Sequence, residues 1–291
     1  MLNIGVIGAL LSLLMYLIYY TLAKKFAAAT GNYKAAMVIM TCSIVPMLVA
    51  AYLIKPSWIS NADVFLSIIG GIFVFLGFEL LYRSLHTEQL TNTVGVTEVG
   101  SAIMIIFGIL VLNEKISALG LIGIVMIFVG TFFIARKKKF LFNKKLVPAI
   151  LASVCFGLSW VVNATAISNS GNFIIPLLIS RSIAVLITIP YLHLFKKPKE
   201  NESKPQKINL LNLSLMVLLM GLTAGIFDGV GDVLFGFITL HKYLALGGAF
   251  GILQIAIIAI IGYFVYKDKL KWPELAGLVV SIVGAILLAF F

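Results

Sequence analysis

Gly108-Ile109-Leu110-Val111-Leu112-Asn113-Glu114-Lys115 ends one long apolar run and leads into another, Ile116 to Ala135, punctuated by Gly120, Gly123 and Gly130. The same pattern returns late in the chain as Gly262-Tyr263-Phe264-Val265-Tyr266-Lys267-Asp268-Lys269, followed by an apolar run through Phe290 that carries Gly277 and Gly284. An apolar stretch, a short charged turn and a glycine-spaced apolar stretch therefore occur twice. The chain is expected to be a duplicated, multi-span hydrophobic unit.

Working outward, the whole chain of 291 residues has this character: 61% apolar residues, 11% charged residues and a mean hydropathy of +1.11. A soluble core needs far less apolar sequence, so the bilayer is the expected solvent. About 20 apolar residues cross roughly 30 Å of hydrocarbon as a helix. Such windows fall at Asn3–Leu22, Tyr33–Ile54, Ala62–Leu85, Leu90–Leu112, Ile116–Ala135, Leu146–Ile167, Phe173–Phe195, Leu210–Ile238, Tyr243–Tyr266 and Trp272–Phe290. Backbone polar groups must be satisfied within lipid, and uninterrupted runs of this length favour helices over short alternating barrel strands. The expected fold is an all-α integral membrane bundle of about ten transmembrane helices.

Only Met1-Leu2-Asn3 precedes the first window, without the positive flank of a cleaved signal, so that window is expected to be retained. Cys42 and Cys155 both lie within predicted spans and read as small packing residues. His86, His193 and His241 show no ligand spacing. No metal and no cofactor are expected.

The net charge of +11 is unevenly placed. With ten spans, one side of the membrane receives Lys24, Lys25, Lys34, Arg83, the run from Arg136 to Lys145, the run from Lys196 to Lys207, and Lys267, Lys269 and Lys271. The other side receives Lys55, Lys115 and Lys242, and Arg181 falls inside a span. By the positive-inside rule the basic side is cytoplasmic, which places both termini outside in a multi-pass protein of the cytoplasmic membrane. The charge is thus explained by topology, and no nucleic-acid partner is expected.

The expected organisation is a first five-helix repeat over residues 1–135, a basic cytoplasmic linker over 136–145 and a second five-helix repeat over 146–291. An odd number of spans per half makes the two copies inverted. Two inverted multi-span units commonly frame a central site that opens to either side in turn, which points to secondary transport. Lys196–Asn209, with Pro198 and Pro205, reads as a solvated connection.

The two half-endings quoted above resemble the paired EamA-type repeats of the drug/metabolite transporter superfamily, in which an acidic residue closes the fourth and ninth spans. Glu114 and Asp268 stand in those places. Ser180-Arg181-Ser182 is similar to the family's arginine-bearing seventh span, whereas the matching place in the first half holds Thr41-Cys42-Ser43. The chain departs from the pattern at Gly100, Gln254 and Phe156-Gly157, where the family often has proline, proline and Trp-Gly. Lysines directly after the first span resemble the rhamnose- and sugar-importing branches, so the resemblance tilts toward uptake.

Ionisable side chains within hydrocarbon mark a cavity or a relay, because each is costly unless paired or hydrated. Glu98, Asp228 and Arg181 fall near the middles of their spans; Asp232 lies one turn from Asp228 on the same face, and Glu79 lies one turn before Arg83. Glu98 is read as a coupling residue. Asp228 and Asp232 are read both as neutralisers of Arg181 and as a pair that shares a proton. Glu79 is a secondary candidate, better explained as an intrahelical ion pair with Arg83. Trp160, Asn163 and Gln254 are candidates for substrate contact, and Gly221, Gly225 and Gly229 form a small-residue stripe for close helix approach.

The expected function is movement of a small polar or amphipathic metabolite by alternating access, proton-coupled or by exchange, with membrane lipids as surroundings and a monomer sufficient. No enzymatic activity is expected, for there is no HExxH, GxSxG or phosphate-binding loop. The alternatives are an intramembrane lipid-modifying enzyme and a membrane receptor or scaffold.

Overall fold

A computed structural model describes residues 4–30, 32–87, 99–135, 147–194, 215–265 and 272–288. They form ten α-helices: α1 Ile4–Thr30, α2 Asn32–Ile54, α3 Asn61–Thr87, α4 Val99–Leu110, α5 Ala118–Ala135, α6 Val147–Ser170, α7 Ile174–Leu194, α8 Leu215–Leu240, α9 Leu244–Val265 and α10 Trp272–Leu288. Nine expected windows map onto nine helices, though α1 runs on past Lys24 and Lys25 to Thr30. The fourth window began at Leu90, and residues 88–98 lie outside the described residues.

Six helices are long and apolar enough to cross a membrane: α1, α2, α3, α6, α7 and α8. The apolar stretches of α4, α5, α9 and α10 are shorter over the described residues. Large apolar side chains face outward, among them Leu14, Leu48, Val125, Phe132 and Ile286, while Arg181, Asp228, Asp232, Asn163 and Gln254 are buried. The protein is a multi-pass membrane bundle with its polar side chains inside.

The helices pair across the two halves. α1 and α2 pack on α8; α6 and α7 pack on α3; α4 meets α9 and α5 meets α10. Exchanging the first five helices for the last five turns these pairings into one another. α2 and α7, partners in this exchange, each carry an internal proline, Pro46 and Pro190.

Helix ends follow local chemistry. Gly171, Lys55, Asn113 and Lys242 adopt positive φ just after α6, α2, α4 and α8, the left-handed ending that closes many helices. Ser60 caps α3 by accepting from the Asp63 amide at 3.2 Å, and Asn172 caps α7 by accepting from the Ile174 amide at 3.0 Å. Close crossings use glycine where a Cβ has no room: one on Gly100 would lie 2.2 Å from Ser153 O of α6. The Gly221, Gly225 and Gly229 stripe meets Phe26 of α1 and then Cys42 and Ser43 of α2, which seats α8 tightly against the first half.

Candidate functional site

α8 and α7 bring the buried ions together. Asp228 and Asp232 sit one turn apart on α8, and the Arg181 guanidinium reaches from α7 between them. Its Nη2 lies 3.1 Å from Asp228 Oδ2 and contacts Asp232 Oδ2 more closely still, with all three side chains nearly inaccessible. The Arg181 guanidinium also lies over the Phe78 ring of α3, 4.8 Å from its centroid, a cation–π contact that strengthens away from water.

The two carboxylates differ in their partners. Asp232 is held at both oxygens, because Tyr16 of α1 donates its hydroxyl to Oδ1 at 2.7 Å while Arg181 holds Oδ2. Ser12 donates to the Gly231 carbonyl at 3.1 Å and fixes the same part of α8 against α1. Asp228 Oδ2 has the ion-pair contact with Arg181 but makes no hydrogen bond there.

A cavity of about 110 Å³ opens beside these ions, well above the ~10–15 Å³ that one water needs. α1 contributes Tyr16, Tyr19 and Tyr20; α3 contributes Val74, Phe78 and Leu81; α4 contributes Gly100, Ser101 and Met104. From the second half come Trp160 and Asn163 of α6, Arg181 of α7, Asp228, Asp232 and Phe235 of α8, and Gln254 of α9. Asn163 is oriented by its own donors: Nδ2 reaches Ser159 O at 3.0 Å and Ser180 Oγ at 3.2 Å, which leaves Oδ1 buried without a partner. Gln254 Nε2 and Arg181 Nη1 are likewise buried donors, and all three atoms are without partners among the described residues. Buried polar atoms are normally satisfied, so this unfilled capacity around one cavity calls for a ligand or water. Trp160 and Phe235, with ring centroids 4.3 Å apart, supply an aromatic surface.

Six candidates from the sequence thus line one cavity: Asp228, Asp232, Arg181, Trp160, Asn163 and Gln254. Glu79 does not. It pairs with Arg83 Nε at 2.6 Å and accepts from Tyr191 at 3.2 Å, away from the cavity. The intrahelical ion pair expected from the spacing is present. Glu98 and Asp268 lie outside the described residues. Tyr16, Tyr19 and Phe78 went unnoticed in the sequence, since aromatic residues in an apolar helix read as packing.

Glu114 has a structural place. Its Oε1 and Oε2 accept from the amides of Leu244 and Ala245 at 2.7 Å each, at the N-terminus of α9. Asn113, at φ 53°, turns the chain so that the next side chain points there. Gly108 leaves the room, because a Cβ on it would lie 2.8 Å from Glu114 Oε2. Burial pushes the Glu114 carboxyl above its ordinary value, against the opposing pull of the two amides and Lys242.

Residues 3–136 match the EamA-like transporter family. A comparison with curated proteins gives no match. A solved crystal structure shares the fold over both halves, with a TM-score of 0.67, covering 97% of this chain and 95% of the other at 13% identity.

Proposed function

We propose, from the match of residues 3–136 to the EamA-like transporter family, that this chain is a secondary transporter moving a small polar or amphipathic metabolite by alternating access around the central cavity. The family is one of membrane transporters. The observation that carries the finer reading is the placement of one arginine, two carboxylates and three unpartnered polar atoms in a cavity walled by both halves of the chain. A structural ion cluster needs no unfilled donors or acceptors, whereas a solute site does.

In this reading residues 1–135 and 146–291 are inverted repeats that rock about the cavity, joined by the basic linker 136–145 on the cytoplasmic side. Arg181 is tethered to α8 and faces the solute with Nη1; Asn163 Oδ1 and Gln254 Nε2 supply directional contacts; Trp160 and Phe235 cover its apolar part. With both aspartates ionised, the described cavity lining carries one negative charge more than Arg181 compensates. A proton on the pair, or a charge on the solute, restores balance, and this is the basis for coupling flux to a proton gradient or to exchange.

Solute uptake into proteoliposomes preloaded with each of a panel of sugars, amino acids, amines and nucleosides tests the reading. Counterflow of at least one class is expected, together with thermal stabilisation of the purified protein by that solute, by about 2.7 kcal/mol at 100 times its dissociation constant. Absence of both for every class, in a folded preparation, overturns it.

A further inference from the structure

We infer that the two aspartates divide their work: Asp232 is a fixed positioning residue for Arg181, and Asp228 is the exchangeable carboxylate, holding a proton in the empty site and the ammonium group of an amine-bearing solute in the loaded one. This deepens the transport reading and rests on it.

The argument starts from unequal satisfaction. Asp232 has a donor at each oxygen, Tyr16 on Oδ1 and Arg181 on Oδ2, and its stretch of helix is pinned through Gly231 to Ser12. Removing a ligand or a proton leaves those bonds in place. Asp228 is 3% exposed, yet its Oδ2 lies near Arg181 without hydrogen-bond geometry. The groups facing it are known from each neighbouring helix: Asp232 on α8 itself, Arg181 from α7, Tyr16 and Tyr19 from α1, Tyr82 from α3 and Ser43 from α2. The Ser43 hydroxyl is within hydrogen-bond reach of both Met40 O, at 2.9 Å, and the Asp228 carboxylate, and Cys42 of α2 packs against Gly225 one turn away. From α6 and α9 the described lining is uncharged. Arg181 is therefore the one cation among these groups, and its Nη2 is shared: it hydrogen-bonds Asp232 Oδ2 and lies 3.1 Å from Asp228 Oδ2.

What Asp228 Oδ2 lacks, among the described residues, is a hydrogen-bond donor. A second free acceptor, Asn163 Oδ1, lines the same cavity, and the aromatic faces of Trp160 and Phe235 favour a cation over a neutral group. A primary ammonium supplies three donors and one positive charge. Arg181 Nη1 and Gln254 Nε2, whose residues line the same cavity, are donors suited to an acceptor group on the same solute. The exchange balances simply: the ammonium arrives with its charge, the Asp228 proton leaves to water, and no bond within the solute changes.

The test is calorimetric titration of the purified full-length protein in two buffers of different ionisation heat, with 2-phenylethylamine, its neutral isostere 2-phenylethanol, ethanolamine and phenylalanine. An ammonium probe is expected to bind and release close to one proton for each molecule bound, with affinity falling as pH falls, and the alcohol to bind more weakly and without proton release. Asp228→Asn should abolish the release and weaken the amine by about 10- to 100-fold. Asp232→Asn should keep the release while lowering thermal stability. Equal binding of alcohol and amine by the unaltered protein overturns the proposal, as does failure of every ammonium probe to bind, or release that survives Asp228→Asn and disappears in Asp232→Asn. Counterflow of a neutral solute in the same preparation would separate failure of this inference from failure of the transport reading.

Discussion

Glu114, in the turn that ends the first half, accepts a hydrogen bond at 2.7 Å from the amide of Leu244, 130 positions later, where α9 begins. A carboxylate at a helix N-terminus satisfies orphan amides and meets the positive end of the helix dipole. Here the helix lies in the other half of the chain, so the acidic turn joins the two halves in space.

Glu114→Ala should therefore lower the free energy of unfolding by about 1–2 kcal/mol, the range of a lost helix cap, and Glu114→Gln by less, because one acceptor survives. The pH profile adds a second readout. A carboxyl raised by burial binds its proton more tightly in the folded protein than in the unfolded chain. Its contribution to stability is then full below the unfolded value of about 4.3 and fades as pH rises through the folded value. Thermal scans across the acid range should show this component in the unaltered protein and lack it in Glu114→Gln.

Arg181→Gln leaves two buried carboxylates without their cation and should cost about 3–5 kcal/mol. Adding Asp228→Asn to Arg181→Gln should return part of that loss. A double-mutant cycle by denaturant or thermal unfolding measures the coupling, and strictly additive effects would mean that the ion cluster is not one unit.

Tyr16→Phe removes one donor from Asp232 and little volume. A hydrogen bond to a charged group is worth about 1.5–3 kcal/mol, so unfolding should become easier by that amount. Solute affinity should also fall, since Arg181 loses a fixed anchor. Unchanged affinity with lowered stability would confine Tyr16 to a structural role.

Gly100 lies in the cavity lining and against Ser153 of α6. Gly100→Val must push α4 away from α6, an overpacking expected to cost about 1–3 kcal/mol. Solute binding and Tm should fall together, and a stable variant with native affinity would contradict the crossing.

Glu79→Gln is expected to be mild. Arg83 is 45% exposed at its side chain, so solvent screens the pair, and a loss of no more than about 1 kcal/mol is expected in thermal unfolding. A loss as large as that of Arg181→Gln would show that Tyr191 and Glu79 hold α3 to α7 more firmly than the geometry indicates.

The sequence made the fold legible because bilayer thickness ties span length to hydropathy, and nine windows coincide with described helices. It also exposed Arg181, Asp228 and Asp232, whose charge is conspicuous in apolar surroundings and whose one-turn spacing put both acids on one face. Tyr16 was not legible: an apolar helix with several tyrosines gives no cue as to which one meets an acid more than two hundred positions away. Glu79, by contrast, was legible: its place one turn before Arg83 reads as an intrahelical ion pair, and the pair is present. The role of Glu114 needed the three-dimensional approach of α9, which no local pattern encodes.

The bond from Tyr16 to Asp232 spans 216 positions, and that interval has a meaning during synthesis. At about 5–20 residues per second, the ribosome needs about 10–40 s to deliver α8 after α1 has emerged. Through that time Tyr16 of α1 is without its acid, and α7 is made with Arg181 ahead of both of its counter-ions. The ion cluster thus closes late, on α8, with only α9 and α10 still to follow.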